Sequence, residues 1–263
     1  MLRFGCVPDG FGLSYTVPLP KSSNASTSKP VYVNDFRGIS ISPVISKIFE
    51  KCILNRFAAF FETHDNQFGF KKGMGCSHAI YSVKAVVDYY TNRGTTVNLC
   101  ALDLKKAFDK MNHFGLYMKL MDRMIPNCLL SLIEHWFSIC ATCVRFGGYL
   151  SCFFHLKCGV RQGGVLSPHF FAVYIDDLIK RLLRSNCGCF VRSACVNVFL
   201  YADDIIVLAP SIDALMRLLR LVEDELAFLD MALNASKSVY IRYGPRFDND
   251  CSEISTNDGD CLR

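Results

Sequence analysis

The sequence lacks the features that would place the chain in a membrane or on a secretory route. None of its apolar runs reaches the about 20 residues of a membrane-spanning helix, and its first residues show no signal-peptide pattern. The 14 cysteines are spread along 263 residues without the spacing of a secreted disulfide scaffold. We therefore expect reduced, buried thiols and an intracellular protein, nuclear or cytoplasmic, that makes no membrane contact.

Strong charge bias and low complexity are absent as well. Hydrophobic residues make up 51% and charged residues 20% of the chain, which excludes intrinsic disorder. The length allows one large domain or two subdomains with a substantial core. The net charge of +5 is compatible with a nucleic-acid groove but does not indicate one by itself. A glycine-punctuated turn at residues 67–73 lacks the Gly-Lys-Ser/Thr ending of a P-loop.

The most informative stretch is residues 198–208, where two adjacent acids, Asp203 and Asp204, separate two apolar, β-branched runs. This pattern predicts two buried strands joined by a tight turn, and the turn falls at the acids because Ala and Asp disfavour strand interiors. Tight turns normally select Gly or Asn, and neither is present. We therefore predict a strained turn at Ala202-Asp203, of the kind found at functional sites. The alternative is an ordinary hairpin tip with two solvated acids.

A third acid, Asp103, has the same position at the end of a short apolar strand. If that strand lies beside the hairpin, three carboxylates converge. Two unit charges about 4 Å apart repel by about 4 kcal/mol at an effective dielectric constant of about 20, so protons or cations must neutralise the cluster. Two Mg²⁺ about 3.5–4 Å apart would do so and would clamp the attacking and leaving oxygens of a phosphoryl transfer. The acids thus predict a two-metal centre.

Periodicity predicts the other elements. Helices are expected at about residues 43–61, 77–92, 113–124, 127–140, 165–183 and 211–229. Residues 17–21 and 239–243 are predicted to be extended, residues 21–30 to form an exposed polar loop, and residues 142–157 to pair as strands around Gly147-Gly148. A second Tyr-x-Asp-Asp pattern, residues 174–177, is followed by apolar residues at helical spacing. That pair of acids is therefore predicted to lie on a helix.

Two features leave alternatives open. Cys140, Cys143, Cys152, His155 and Cys158 are zinc-ligand types, but the strand alternation of their segment favours packed core cysteines over a structural zinc site. In addition, Arg37 and Lys71 lie near glycines in loop-like sequence, so each is either a phosphate ligand or a solvated charge.

Six motifs follow one another along the chain: Phe-Arg-Gly-Ile-Ser (36–40), Gln-Phe-Gly-Phe (67–70), Leu-Asp-Leu-Lys-Lys-Ala-Phe-Asp (102–109), Arg-Gln-Gly-Gly-Val-Leu-Ser-Pro (161–168), Tyr-Ala-Asp-Asp (201–204) and Asn-Ala-Ser-Lys (234–237). In this order they resemble the reverse transcriptases of non-LTR (LINE-type) retrotransposons and, more distantly, group II intron and retroviral enzymes. The resemblance implies an α+β right-hand polymerase, with an antiparallel palm sheet backed by helices and with fingers of helices and strands. We expect fingers at residues 1–95, a palm at 96–244 and a polar, truncated tail at 245–263.

The resemblance also implies a chemistry. Asp103, Asp203, Asp204 and the Leu104 carbonyl would hold two Mg²⁺, for which Mn²⁺ can substitute. The ions would activate the 3′-hydroxyl of a DNA primer on an RNA template for attack on the α-phosphate of a dNTP. Lys237 matches a lysine proposed to protonate the departing pyrophosphate, although it is nearly as well explained as a surface lysine.

The remaining matched residues concern the substrates. Phe108 aligns with the aromatic residue that closes off the sugar 2′ position and so favours dNTPs, unless it merely packs in the core. Arg37 matches a fingers residue that binds the triphosphate, and Gln162 and Gly163 match the stretch that contacts the incoming nucleotide and the templating strand. Lys71 matches a basic position of the family and, like Tyr201, is expected to bind substrate.

Relatives of this kind usually carry an endonuclease upstream and a thumb downstream, and neither is recognised here. We expect the thumb to be absent or truncated. An alternative to an active polymerase is therefore a catalytically inactive, nucleic-acid-binding remnant of such an element. A template-independent or RNA-making transferase is disfavoured by Phe108.

Overall fold

A computed structural model describes residues 1–21, 32–250, 252–257 and 259–262. It divides into two compact units, the first made of Met1–Glu62 with Met111–Phe170 and the second of Thr63–Lys110 with Phe171–Arg263. Most of the polar loop expected at residues 21–30 lies outside the described residues. The boundary between fingers and palm at residues 95 and 96 stays a prediction.

Helices and strands alternate irregularly along the chain. The helices are α1 (Asp9–Gly12), α2 (Val44–Arg56), α3 (Cys76–Thr91), α4 (Ala107–Lys110), α5 (His113–Asp122), α6 (Asn127–Ser138), α7 (Ser167–Arg184) and α8 (Ile212–Phe228). The strands are β1 (Leu13–Pro20), β2 (Phe36–Ile41), β3 (Val97–Leu102), β4 (Ala141–Phe146), β5 (Tyr149–Leu150), β6 (Phe154–His155), β7 (Phe190–Val191), β8 (Ala194–Cys195), β9 (Val198–Tyr201), β10 (Asp204–Ala209) and β11 (Val239–Tyr243). Short 3₁₀ turns occupy Val33–Asp35 and Ala58–Phe61.

The first unit is built on a sheet with the strand order β2-β1-β4-β5, in which β6 also pairs with β4. Strands β1 and β4 are parallel, and the other pairs are antiparallel. The predicted helix through Phe61 stops at Arg56 and continues as a 3₁₀ turn. This tighter turn directs Phe61 into the core, where its ring contacts Phe170 edge-on at 5.8 Å.

The predicted hairpin around Gly147-Gly148 is confirmed. Both glycines have positive φ angles, 54° and 87°, which a two-residue hairpin turn requires. Cys140 and Cys143 are buried as expected, but Cys152 and Cys158 beyond the hairpin are exposed. The general expectation of buried thiols is also wrong. Three of the 13 described cysteines are exposed on helices, namely Cys52, Cys76 and Cys128, and four are exposed outside helices, namely Cys6, Cys152, Cys158 and Cys261.

The second unit contains an antiparallel four-stranded sheet with the order β11-β3-β10-β9. Strand β3 is buried over almost its whole length because the sheet is covered by helices. Helix α8 contacts β10, and α3 contacts β9 and β3. The apolar residues of α8 that recur at helical spacing are buried as predicted: Leu215, Leu218, Leu219, Val222 and Leu226. This packing fixes the register of the central strands β3 and β10.

The second Tyr-x-Asp-Asp pattern lies on α7, as predicted. Asp176 is only 2% exposed. Its carboxylate accepts a hydrogen bond from the His64 backbone N–H at 2.7 Å and forms an ion pair with Lys180 at 2.9 Å. Asp176 therefore ties a loop to a helix. Within the described residues, no helix is both long and apolar enough to cross a bilayer.

Candidate active site

The predicted strained turn is confirmed. Strands β9 and β10 pair with Asp204 opposite Tyr201, so that Ala202 and Asp203 form the connection. Ala202 has a φ of 58°, in the left-handed region that costs an L-residue about 1–2 kcal/mol. The surrounding structure must therefore hold this turn in place.

Asp103 lies at the same end of the sheet. Strand β3 pairs with β10 in a register that sets Leu102 opposite Ile205, and one further step brings Asp103 opposite Asp204. Burial, the Asp203 carboxylate and the Asp103 carboxylate together raise the pKa of Asp204 above its ordinary value. The three acids are thus close enough to act on one another, as the sequence predicted. Among the described residues, however, no three His, Cys, Asp or Glu side chains are arranged to hold a metal ion.

Asp103 is held by the turn before β11. Its Oδ2 atom accepts a hydrogen bond from Nδ2 of Asn234 at 2.7 Å and lies 3.8 Å from Nζ of Lys237. The backbone carbonyl of Asp103 accepts a hydrogen bond from the Asn234 N–H at 2.8 Å, and the backbone N–H of Asp103 donates to Oγ of Ser238 at 3.2 Å. The turn before β11 therefore engages one carboxylate oxygen, and a bound cation would compete with Asn234 and Lys237 for it.

The donor set nevertheless suits a divalent cation. Carboxylate and carbonyl oxygens are the ligands that Mg²⁺ takes in proteins. Leu104 forms an antiparallel bridge with Leu233. The two hydrogen bonds of this bridge run from the Lys105 N–H to the Ala232 carbonyl and from the Asn234 N–H to the Asp103 carbonyl, so they do not use the Leu104 carbonyl. The repulsion that raises the pKa of Asp204 is also what a cation would relieve.

Two predicted substrate residues lie in the same unit. The ring of Phe108 is half-buried; it stacks on Phe171 with centroids 4.8 Å apart and contacts Phe70 edge-on at 6.2 Å. This is compatible with a sugar-facing ring and with core packing, so both interpretations stand. Lys71 lies in a loop, as predicted, where its Nζ donates to the His64 carbonyl at 2.7 Å.

The first unit holds three further predicted substrate residues, Arg37, Gln162 and Gly163. Arg37 is exposed but lies in β2, so its assignment to a loop is wrong. Pairing with β1 makes the segment a strand, with Arg37 opposite Leu19. On the same strand, the Ser40 N–H donates to the Gln162 carbonyl at 2.7 Å. A side chain at Gly163, whose φ is 126°, would lie 2.5 Å from the Ser40 carbonyl.

Glu50 was not singled out from the sequence, yet it contacts the loop that contains Gln162 and Gly163. It is 4% exposed, and its Oε2 atom accepts hydrogen bonds from the backbone N–H groups of Val165 at 2.5 Å and Leu166 at 2.8 Å. These donors lie just before α7, where a carboxylate is favourable. The sequence signal was a glutamate in a helix whose neighbours at helical spacing, Ser46 and Ile53, are buried.

Gln67 was also missed, although its motif was recognised. Its side chain is fully buried. Its Oε1 atom accepts hydrogen bonds from the N–H groups of Gly69 at 2.9 Å and Ala202 at 3.2 Å, and Nε2 has a longer contact, 3.5 Å, with the Ala202 carbonyl. A buried glutamine thus contacts the strained turn before Asp203.

Comparison with solved structures gives the class of fold. A telomerase from Candida tropicalis in complex with a fragment of telomeric RNA matches 95% of this chain and 44% of its own, with a TM-score of 0.63 and 14% identity. An apo telomerase from the same organism, truncated from its C-terminal domain, matches 95% of this chain with a TM-score of 0.60. At such low identity the likeness shows the fold alone. The chain has the α+β right-hand polymerase fold that its motifs predicted.

The sequence comparisons give the family. The profile of the reverse transcriptase (RNA-dependent DNA polymerase) family matches residues 19–251. The Pol polyprotein of the type-2 retrotransposable element R2DM from Drosophila melanogaster is 28% identical over 90% of this chain. The RNA-directed DNA polymerase of the mobile element jockey from Drosophila funebris is 26% identical over 87%. The chain belongs to the reverse transcriptase family, and its resemblance to the non-LTR retrotransposon enzymes is confirmed. It spans 22% and 25% of the lengths of these two relatives.

Proposed function

We propose that the chain is the polymerase domain of a retrotransposon reverse transcriptase and that it adds deoxynucleotides to the 3′-hydroxyl of a DNA primer on an RNA template. The observation that carries this proposal is the meeting of Asp103, Asp203 and Asp204 at one end of the β3, β10 and β9 strands. Residues 1–95 would act as fingers and residues 96–244 as the palm. Relatives named as RNA-directed DNA polymerases support the reaction class.

Asp103, Asp203, Asp204 and the Leu104 carbonyl would hold two Mg²⁺, or Mn²⁺ in their place. Bound there, the ions would supply charge stabilisation to the attacking and leaving oxygens of the phosphoryl transfer. The contribution of the chain is to hold the oxygen ligands on rigid strand ends before the metal arrives, so that little reorganisation is needed. Asn234 would keep Asp103 oriented through its hydrogen bond to Oδ2.

Lys237 would act as the proton donor to the departing pyrophosphate. Its side chain is 63% exposed, and its 3.8 Å contact with Asp103 is a weak restraint. The ammonium group can therefore leave Asp103 when a triphosphate is bound. Phe108 would lie against the sugar and exclude a 2′-hydroxyl, which makes dNTPs the preferred substrates.

The remaining residues would bind nucleotide and template. Arg37 would contact the triphosphate from β2, and Lys71 would do so only by exchanging its hydrogen bond to the His64 carbonyl for a phosphate oxygen. The backbone around Gln162 and Gly163, which lies against Ser40, would contact the incoming nucleotide and the templating strand. Tyr201, opposite Asp204, would contact the substrate beside the acids.

The test is extension of a labelled DNA primer on an RNA template with dNTPs and MgCl₂, comparing the purified chain with Asp203→Ala. We expect divalent-metal-dependent extension by the wild type and none by the variant. A matched control is Asp177→Ala, which removes the more exposed of the two acids in the helical Tyr-x-Asp-Asp pattern and should leave extension unchanged. Extension by Asp203→Ala would contradict the proposal. Salt-sensitive RNA binding without incorporation by the wild type would instead indicate an inactive binding remnant.

A further inference from the structure

The turn that carries Asp203 has a left-handed residue that is neither glycine nor asparagine. Ala202 has a φ of 58°, which an alanine adopts only when neighbouring groups impose it. A flexible glycine is absent from residues 201–204, so the pairing of β9 with β10 and further contacts must together hold the left-handed conformation. Any relaxation of Ala202 toward ordinary φ values would swing the adjacent Asp203 away from Asp204.

The side chain of Gln67 contacts both backbone polar groups of Ala202, the N–H and the carbonyl. The Ala202 N–H and the Gly69 N–H are both donors, so the atom between them must be the amide oxygen of Gln67. The amide nitrogen is then directed to the Ala202 carbonyl, 3.5 Å away. One buried amide therefore meets both the N–H and the carbonyl of the strained residue.

Gln67 is itself held rigidly. It is fully buried, and its backbone forms a parallel bridge with Leu200. In this bridge the Phe68 N–H donates to the Leu200 carbonyl, and the Leu200 N–H donates to the Asn66 carbonyl, both at 2.8 Å. Because the main chain at residues 66–68 is fixed to β9, the side chain has little freedom to leave the turn. Such a second layer of hydrogen bonds is what keeps a reacting constellation in its productive geometry.

We propose that Gln67 is a positioning residue of the polymerase site, which holds Ala202 in its left-handed conformation and thereby holds Asp203 beside Asp204. The expected effect on kcat rests on the proposed function, whereas the expected effect on the conformation of Ala202 does not. The hydrogen bonds of the Gln67 side chain are to backbone groups of Gly69 and Ala202. Gln67 acts through the backbone of Ala202.

The test compares Gln67→Met, which fills the same volume without hydrogen bonds, with Asn98→Leu as a matched control. Asn98 is a buried amide on the same sheet whose partners are the Ala209 carbonyl and the Tyr240 hydroxyl, at the opposite end of β10 from Asp204. Both variants lose buried hydrogen bonds, and both should melt at lower temperature. Only Gln67→Met should lower kcat, by about 10- to 100-fold, with primer–template affinity and KM for dNTP nearly unchanged.

A second arm uses glycine at the strained position. Glycine adopts positive φ as readily as negative φ, so Ala202→Gly in the Gln67→Met background should restore part of the lost kcat. If Gln67 only filled space, the added glycine would restore nothing. Equal losses of kcat in Gln67→Met and Asn98→Leu at the same folded fraction would also overturn the inference.

The third arm needs no activity, and its decisive measurement is made on the wild-type chain. Hydrogen exchange in the wild-type chain should show the Ala202 amide protected, although Ala202 is only partly buried. In Gln67→Met the segment 200–204 should exchange faster, while the far end of β10 is unaffected. Exchange of Ala202 at the rate of an unstructured amide in the wild type refutes the positioning role. Protection without any primer extension supports it and refutes only the proposed function.

Discussion

Gly69 offers a direct test of how tightly the chain surrounds the turn that carries Asp203. A Cβ atom at this position would lie 2.3 Å from the Ala202 backbone nitrogen and 2.9 Å from its Cα. Both neighbours are main-chain atoms, so no flexible side chain can move aside. Gly69 does not have the left-handed φ of a turn glycine, and the effect of Gly69→Ala is therefore purely steric.

The magnitude follows from the shortfall in distance. Ordinary van der Waals contact begins at 3.4 Å, so the new methyl group requires the two segments to separate by about 1.1 Å, the difference between 3.4 and 2.3 Å. Overpacking of this kind costs about 1–3 kcal/mol of stability. Because the displaced atoms belong to the residue before Asp203, the same shift should reduce kcat by about 100-fold.

The assay is single-nucleotide primer extension together with thermal unfolding, both compared with Gly75→Ala. The neighbours of a Cβ at Gly75 begin at 3.9 Å, with Oγ of Ser77. This control adds the same methyl group six residues away, at the N-cap of α3, so it should leave extension unchanged and lower the stability less than Gly69→Ala does. If Gly69→Ala extended primers at a rate within about threefold of the wild type, the reasoning that a displacement of the turn disables the acids would fail.

Two further predictions concern pH and sugar selectivity. Burial lowers the pKa of His113 below 6.5, against the opposing effect of its 2.7 Å hydrogen bond to the Gly159 carbonyl. As the pH falls, the histidine of the unfolded chain therefore binds a proton before that of the folded chain. Below pH 6.5 this group should lower the free energy of unfolding by at most about 1.4 kcal/mol per pH unit. Urea unfolding between pH 7 and pH 5 should show a smaller loss for His113→Gln, and identical slopes would contradict the assignment. Phe108→Ala should raise rNTP incorporation relative to dNTP by about tenfold or more, measured by competitive extension. Lower stability with unchanged selectivity would mean that the ring stacked on Phe171 only packs in the core.

The sequence predicted the features that arise from local patterns. Alternation and β-branching located β9, β10 and β3, and the absence of glycine from the hairpin correctly implied strain at Ala202. Helical spacing located α7 and assigned Asp176 to it. These features depend on residues within a few positions of one another, which is the range over which periodicity carries information.

What the sequence did not predict depends on partners far along the chain. Arg37 belongs to a strand because the segment pairs with β1, and nothing in its own residues indicates that pairing. Gln67 and Glu50 act on backbone groups 135 and 115 positions away, Ala202 and Val165 respectively. Whether a cysteine is buried or exposed likewise depends on tertiary packing, since the side chain is small enough for either environment.

The Gln-Phe-Gly-Phe and Tyr-Ala-Asp-Asp motifs are distant in sequence but form one structural unit. Residues 66–68 run parallel to β9 and pair with Leu200, so they cover part of the strand edge that the hairpin would otherwise leave open. Gly69 then allows the main chain to pass against Ala202, and Gln67 satisfies the polar groups of that residue. A larger residue at 69 would separate the two segments, and an apolar residue at 67 would take the amide acceptor away from the N–H groups of Gly69 and Ala202. Each motif is therefore unable to keep its own conformation without the other, and Asp203 depends on both.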